Sequence, residues 1–496
     1  MSEVVAGRSL LVVAVNPGHS SWRRNLQQMF FLSGKCNDTT IRNIIVDREP
    51  DWMILLYTFA LWLLLPFIII RLFWRARKHP EYLHHIGERF GFYSIRVEKP
   101  VIWLHAVSVG ETRATQNLVA RLHVNYPLHQ ILLTHTTPTG RAASEQLYGD
   151  SALRVYLPYD YPFAVHRFLL HFRPQLGILM ETEIWFNLIH ACHVACTPLL
   201  LLNARMSEKS AHGYSRISPL ARDALGKLTA VAAQTSDDAA RLTKLGARNV
   251  SVMGNLKFDI EPPHTMLELG KQMREKFGKT RKVLLAASTR EGEEELLLDT
   301  LQNLNAADFL LVIVPRHPQR FADVANMLEQ RHISFCRRSE LTLAGNPYGE
   351  GLQHQDVPSE MHVVLGDSMS EMFAYYAAAD LAFIGGSLLP YGGQNLIEAC
   401  AAGTPVLVGP HMYNFDEATR LAVLAGAAIQ VSDVTGLVSE ARRLLRDNVV
   451  LNDMRHQCIE FVQSNRGATE ISLRLVIQNL AKVTHPDSSP PAHYSL

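Results

Sequence analysis

A chain of 496 residues with 48 Lys and Arg against 47 Asp and Glu has a formal net charge of +1, so no global field draws it to nucleic acid. Its six cysteines, Cys36, Cys192, Cys196, Cys336, Cys400 and Cys458, are sparse and follow no disulfide framework, as suits a reducing cytosolic compartment.

In chain order, residues 1–52 come first and fit poorly with the rest of the chain. They hold scattered polar residues, a short apolar run Leu10–Val15 and an Asp47-Arg-Glu-Pro-Asp string, with neither the early apolar region nor the cleavage site of a secretory signal. The expectation is that the functional chain begins at Met53 and that 1–52 is an upstream-start extension or a disordered tail.

Trp52 to Ile70 runs without a charge and is followed at once by Arg71, Arg75, Arg77 and Lys78. Nineteen helical residues at about 1.5 Å each reach roughly 28 Å, the thickness of a bilayer's hydrocarbon core. Residues 53–73 are therefore expected to be a membrane anchor helix. Residues 74–100 are a basic juxtamembrane collar that faces an anionic cytoplasmic leaflet.

Short, continuous apolar runs then alternate with helical stretches: Val101–Val107, Ile131–Thr134, Arg154–Leu157, Leu176–Met180, Pro198–Leu202 and Ala230–Ala233. Strands buried on both faces of a parallel sheet have this composition. Cys192 and Cys196 with His190 and His193 sit on one of the intervening helices, and without a matching ligand pair elsewhere they read as helix residues, not a metal site. After Glu261-Pro-Pro-His the pattern restarts with Lys282–Ala287, Phe309–Val314, His362–Leu365, Asp380–Ile384 and Pro405–Val408. The expected fold is α/β, with two doubly wound domains at 101–262 and 280–483, a cleft between them, an exposed loop at 344–360 and a disordered tail at 484–496.

Ligands of such sheets collect at the carboxyl ends of strands, so the residues there are the candidates. Glu111, in Val107-Ser-Val-Gly-Glu-Thr, could take a proton from an attacking hydroxyl or simply cap a helix. Glu181 and Glu183 leave the strand Leu176–Met180 within three residues, a costly placement unless they are paired or used. Arg316, after a strand and between prolines, suits a phosphate. Gly385-Gly-Ser and Gly392-Gly-Gln-Asn-Leu-Ile-Glu precede a helix at Leu396–Ala402, where Glu398 could accept hydrogen bonds from a ribose. Lys257, before the linker, could reach into the cleft as a mobile charge.

Taken together, His105-Ala-Val-Ser-Val-Gly-Glu, Leu157-Pro-Tyr-Asp, Met180-Glu-Thr-Glu-Ile-Trp, Asn203-Ala-Arg, Leu256-Lys-Phe-Asp, Val314-Pro-Arg-His-Pro, Gly366-Asp-Ser-Met-Ser-Glu-Met and Gly385-Gly-Ser resemble the 3-deoxy-D-manno-octulosonic acid (Kdo) transferases of Gram-negative bacteria, in order from Met53 to about residue 480. The resemblance implies a GT-B glycosyltransferase, inverting and independent of metal or cofactor. It would move Kdo from CMP-Kdo to a lipid A precursor at the cytoplasmic face of the inner membrane. It also implies Glu111 as general base and Glu181 and Lys257 as groups that stabilise the transition state. CMP-binding segments would fall at Pro315 and Arg316, at Met369, Ser370 and Glu371, and at Asn395, Leu396, Ile397 and Glu398. Phe186, Ser370 and Gln394 depart from the family's usual Pro, Gly and His. A membrane-associated GT-B enzyme using a UDP-sugar would share the fold, and so would a binding protein that had lost catalysis.

Overall fold

The computed structural model describes residues 52–77, 79–302, 309–341 and 356–484. The expectations for 1–51, for most of the 344–360 loop and for 485–496 lie outside the described residues.

The first sheet contains β1 (Val101–His105), β2 (Gln130–His135), β3 (Leu153–Tyr156), β4 (Leu176–Met180), β5 (Leu199–Ala204), β6 (Ala230–Ala233) and β7 (Val250–Val252). Its order is β3-β2-β1-β4-β5-β6-β7, parallel throughout. The second sheet contains β8 (Lys282–Thr289), β9 (Phe309–Pro315), β10 (Phe335–Arg337), β11 (Val363–Leu365), β12 (Leu381–Ile384), β13 (Val406–Val408) and β14 (Ala428–Gln430). It is likewise parallel, in the order β10-β11-β9-β8-β12-β13-β14. Two doubly wound sheets are what the apolar pattern predicts, and they make the GT-B architecture that the resemblance implies.

The continuous apolar strands are buried along their whole length in β1, β4 and β9, since helices cover both faces. Trp103 of β1 lies over Gly177 of β4, where a Cβ would stand 2.6 Å from the indole, so glycine is required there. The order of winding reverses between β1 and β4 in the first sheet and between β8 and β12 in the second, and those crevices are where ligands bind in such folds.

The last described helix, Ala468–Thr484, crosses back to the first sheet. Ala468, Leu473, Val476 and Leu480 share a core with Ile102, Leu104 and Leu118. Asp259, of the Leu256-Lys-Phe-Asp motif, caps that helix by accepting from Gly467 N at 2.7 Å and from Thr469 N.

The helix Trp52–Ala76 is long and apolar enough to cross a membrane by length and composition. Leu55, Leu56, Phe59, Leu63, Phe67 and Ile70 are each more than half exposed along it. The opposite stripe, at spacing i and i+4, docks on the first domain. Tyr57 Oη donates to Asp160 Oδ2 at 2.9 Å, Thr58 Oγ1 donates to Asn187 Oδ1 at 3.0 Å, and Trp62 stacks on Phe163. Asp160 is buried and also accepts from the N–H groups of Asn187 (3.0 Å) and Leu188 (2.8 Å), the orphan donors of the helix Phe186–Val194. Burial nonetheless raises its pKa to about 7. Phe186 occupies the first position of that helix and meets Tyr57 edge-on, with ring centroids 5.0 Å apart. Proline is well tolerated at such a position, which accounts for its usual presence, and phenylalanine here contributes the contact to the membrane-type helix.

The basic stretch that follows is not all surface. Arg89 is buried, with its guanidinium carbon 4.0 Å from the Tyr156 ring centroid, and Arg141 pairs with Glu88 at 2.7 Å. This part of the stretch is packed structure, not a face for lipid.

Asp160→Ala leaves three donors without their acceptor and is expected to cost about 2–4 kcal/mol. Hydrogen-exchange mass spectrometry in detergent should show faster exchange at Asn187 and Leu188 and along the Tyr57 turn; unchanged exchange there would contradict this anchoring.

Candidate active site

After β1 the chain turns sharply into the helix Val109–Ala114, with Ser108 as N-cap. Glu111 is at its third position. Its Oε2 accepts from Val107 N at 2.7 Å and its Oε1 from Ser108 Oγ at 2.9 Å. The capping role therefore exists, but it does not exhaust the residue. Burial raises the Glu111 pKa to about 7, with the Glu181 charge adding to it, the two hydrogen bonds opposing it and Glu183 contributing a little more. A carboxyl group that ionises near neutrality is matched to proton abstraction.

β4 lies across the crevice, and the segment leaving it supplies Glu181, Glu183 and Trp185. Glu181 has φ +58°, in the left-handed region that non-glycine residues rarely occupy. Its backbone is fixed there by bonds from its N–H to Leu202 O (3.1 Å) and from Arg205 N to its own carbonyl (3.3 Å). Such outliers cluster where geometry is imposed by the surroundings; Asn203 and Ser288 are further ones near the carboxyl ends of strands, and Ser370 lies in the loop after β11. Trp185 Nε1 donates to Glu183 Oε2 at 2.6 Å, and His105 Nε2, fully buried, is 3.7 Å from the same oxygen.

Lys257 enters from the short turn Leu256–Phe258. Asn255 caps this turn by accepting from Lys257 N at 3.0 Å, and Asn203 Oδ1 accepts from Leu256 N at 3.1 Å. Gln234 ties Asn203 to Asn255. The lysine Nζ is consequently held 3.4 Å from Glu181 Oε1 and 5.7 Å from the ring centroid of Phe415 in the second domain. Lys257 thus reaches into the cleft, paired with Glu181.

On the second sheet, Arg316 follows β9 and donates Nε to Gln394 Oε1 at 3.1 Å. Gln394 thereby fixes the guanidinium. Glu398 is half-buried, and its Oε1 accepts from Asn395 Nδ2 at 3.1 Å. Burial raises its pKa, while Asn395 and the charges of Arg113 and Arg316 oppose that. Arg113 lies on the first domain two residues past Glu111, so the two faces meet at this point. The helix after this turn has only five residues, Ile397–Ala401. Leu396 and Ile397 are fully buried, so their side chains serve the core; the turn presents Asn395 and Glu398. Pro315 closes β9 opposite Thr289.

The Met369-Ser370-Glu371 segment divides by side chain. Met369 and Ser370 are exposed, and Ser370 has φ +66°, a conformation free to the family's usual glycine. Glu371 points inward: Oε1 accepts from Arg338 Nη2 at 2.9 Å and Oε2 from Ser368 Oγ at 2.6 Å. Its carboxylate holds the turn in shape and is already occupied. Arg290 escapes the sequence reading, although the run Ser288-Thr-Arg-Glu-Gly-Glu-Glu directly after the strand Lys282–Ala287 marks the same kind of position. The Asn203–Gln234–Asn255 network leaves no spacing signal, because its members come from three separate segments.

Removing the Glu371 carboxylate strands the buried Arg338. Glu371→Ala is expected to lower stability by about 3–5 kcal/mol in thermal denaturation. A melting curve like that of the unaltered protein would show that the pair is not buried as described.

Residues 84–260 match the family model described as 3-deoxy-D-manno-octulosonic-acid transferase (kdotransferase), and residues 341–464 match that of glycosyl transferases group 1. A 3-deoxy-D-manno-octulosonic acid transferase of Bordetella pertussis is 41% identical over 432 residues, covering 84% of this chain and 97% of its own. One from Haemophilus influenzae is 35% identical over 428 residues, covering 85% and 97%. A solved UDP-GlcNAc 2-epimerase from Neisseria meningitidis, bound to UDP-GlcNAc, superposes with TM-score 0.51 at 15% identity over 76% of this chain and all of that one, a likeness of fold alone. With both sheets, the carboxylate at the first switch point and near-complete coverage of these relatives, the chain belongs to the 3-deoxy-D-manno-octulosonic acid transferase family of glycosyltransferases.

Proposed function

We propose that this Kdo transferase takes Kdo from CMP-Kdo and delivers it to a lipid A precursor, lipid IVA, with inversion and without a metal ion, at the cytoplasmic face of the bacterial inner membrane. The observation that supports it best is a half-buried carboxyl group with a pKa raised to about 7 on one domain, together with an arginine on the other that is steadied by a neutral glutamine. In this reading an acceptor hydroxyl oxygen attacks the anomeric carbon of Kdo and its proton passes to Glu111. The bond from that carbon to the phosphate oxygen breaks, and CMP leaves. Lys257, steadied by Glu181, and Arg316 meet the developing negative charge. Asn395 and Glu398 hold the nucleoside, and the exposed Met369–Ser370 turn borders it.

Residues 101–262 with the returning helix would carry the acceptor side, and the second sheet the donor side. The exposed apolar face of Trp52–Ala76 fits association with a membrane, where a lipid acceptor resides. A UDP-sugar donor is the second reading, because the fold is shared with a UDP-GlcNAc-binding protein.

The test is transfer from CMP-Kdo to purified lipid IVA, read as mass gain, with Glu111→Gln alongside. Transfer should persist in a chelator and fall by about 10²–10⁴-fold in the variant while CMP binding is retained. No mass gain by a folded, CMP-binding protein would overturn the reading.

The pH dependence carries a sign. Glu111 must be ionised to act, so kcat/KM should rise about tenfold per pH unit up to a limb near 7 and level off above it. Ser108→Ala removes a hydrogen bond that favours the carboxylate and should move that limb to higher pH. An unmoved limb would assign it to another group.

A further inference from the structure

β8 ends at the switch point of the second sheet with Ser288-Thr289, and the loop Arg290-Glu-Gly follows it. Glu293 is fully buried and accepts from Arg290 N at 2.9 Å, Gly386 N at 2.6 Å and Leu388 N at 3.0 Å. One carboxylate thus locks this loop to the Gly385-Gly-Ser turn after β12. Arg316 is attached to the same place, because its N–H donates to Thr289 O at 3.0 Å.

The fixed backbone presents Arg290 beside Arg316. Arg290 Nη1 is 3.0 Å from His317 Nε2, and its guanidinium carbon lies 4.8 Å from the ring centroid of Tyr391. Burial and the two arginine charges lower the His317 pKa, which keeps the imidazole neutral and able to accept from Arg290. Gly386, at φ +71°, lets Arg290 and Gln394 pack closely over the turn: a Cβ there would stand 3.3 Å from Gln394 Nε2 and 3.4 Å from Arg290 Cγ. Among the described residues no carboxylate is within ion-pair distance of Arg290 or Arg316, whereas neighbouring Arg320 is held by Glu294 at 3.1 Å. Glu398 reaches Arg316 only through its longer-range charge, and Arg113 and Arg290 add positive charge there, so an anion seated between the two guanidinium groups would be favoured.

A CMP-linked 2-ulosonic acid offers two anions side by side, the phosphodiester and a carboxylate on the very carbon that the phosphate oxygen leaves. A common UDP-hexose has no such carboxylate. We propose that Arg290, oriented by His317, binds the carboxylate of the donor sugar while Arg316 takes the phosphate, which makes this pair of strand-end arginines selective for acidic sugars. This rests on the CMP-Kdo reading above.

The test uses the full chain in detergent and measures two constants for each variant: Kd for CMP and KM for CMP-Kdo. Arg290→Gln should leave the CMP Kd within about twofold and raise the CMP-Kdo KM by about ten- to a hundredfold. Arg290→Lys should recover part of that loss. Arg316→Gln should weaken CMP itself. Equal weakening of CMP and CMP-Kdo by Arg290→Gln would make Arg290 a phosphate residue and overturn the proposal, as would an unchanged KM. If the unaltered protein binds CMP yet never turns over CMP-Kdo, the donor reading falls, and the carboxylate assignment with it.

Discussion

Glu111 is forced into a poorly solvated corner beside Glu181 and Glu183, and the rest of the site is arranged around the cost of ionising it. Two donors from its own turn favour the carboxylate, while burial and the neighbouring charges oppose it, with a pKa of about 7 as the outcome. The fold supplies that corner. β1 and β4 are adjacent but wound to opposite sides, so their carboxyl ends open a crevice into which both strands deliver acidic side chains. Glu181 is kept there in a left-handed backbone, and Lys257 balances its charge from a turn that Asn203 and Asn255 hold rigid.

The Leu256-Lys-Phe-Asp motif shows how one short segment serves both chemistry and architecture. Lys257 points into the cleft and Phe258 packs edge-on against Phe461 of the second domain, centroids 5.2 Å apart. Asp259 caps the helix that returns from the second domain to the first. The position of the lysine is therefore tied to the path of the chain between domains. At the other end of the first domain, Asp160 joins the helix Phe186–Val194 to the apolar helix Trp52–Ala76. Since Glu183 and Trp185 directly precede that helix, the apolar helix Trp52–Ala76 and the acidic crevice are joined to one short stretch of backbone.

Much of this is legible in the sequence. Continuous apolar runs mark β1, β4, β8 and β9 within one or two residues, because burial on both faces leaves no room for alternation. The strands β7, β10 and β14 give no such signal. Each has three residues at or next to a sheet edge, with compositions such as Phe335-Cys-Arg, and pairing on one side only demands little hydrophobicity. Glu111, Glu181 and Arg316 stand out as candidates because strand ends in a parallel sheet are predictable places, whereas Lys257, in a short turn before the linker, stands out only through the family motif. Inward-facing Glu371, Leu396 and Ile397 are not separable from their neighbours, since a motif fixes positions and not side-chain directions. The return of Ala468–Thr484 to the first sheet depends on a crossing that no local pattern encodes.

The most direct test of the central claim is a carbon-13 NMR titration of the glutamate carboxyl groups, with Glu111→Gln used to assign the resonance. A midpoint near 7 is predicted for Glu111 in the free enzyme. A midpoint at the ordinary value near 4.5 would contradict the account, leaving Glu111 a solvated helix cap with no special claim to the acceptor's proton.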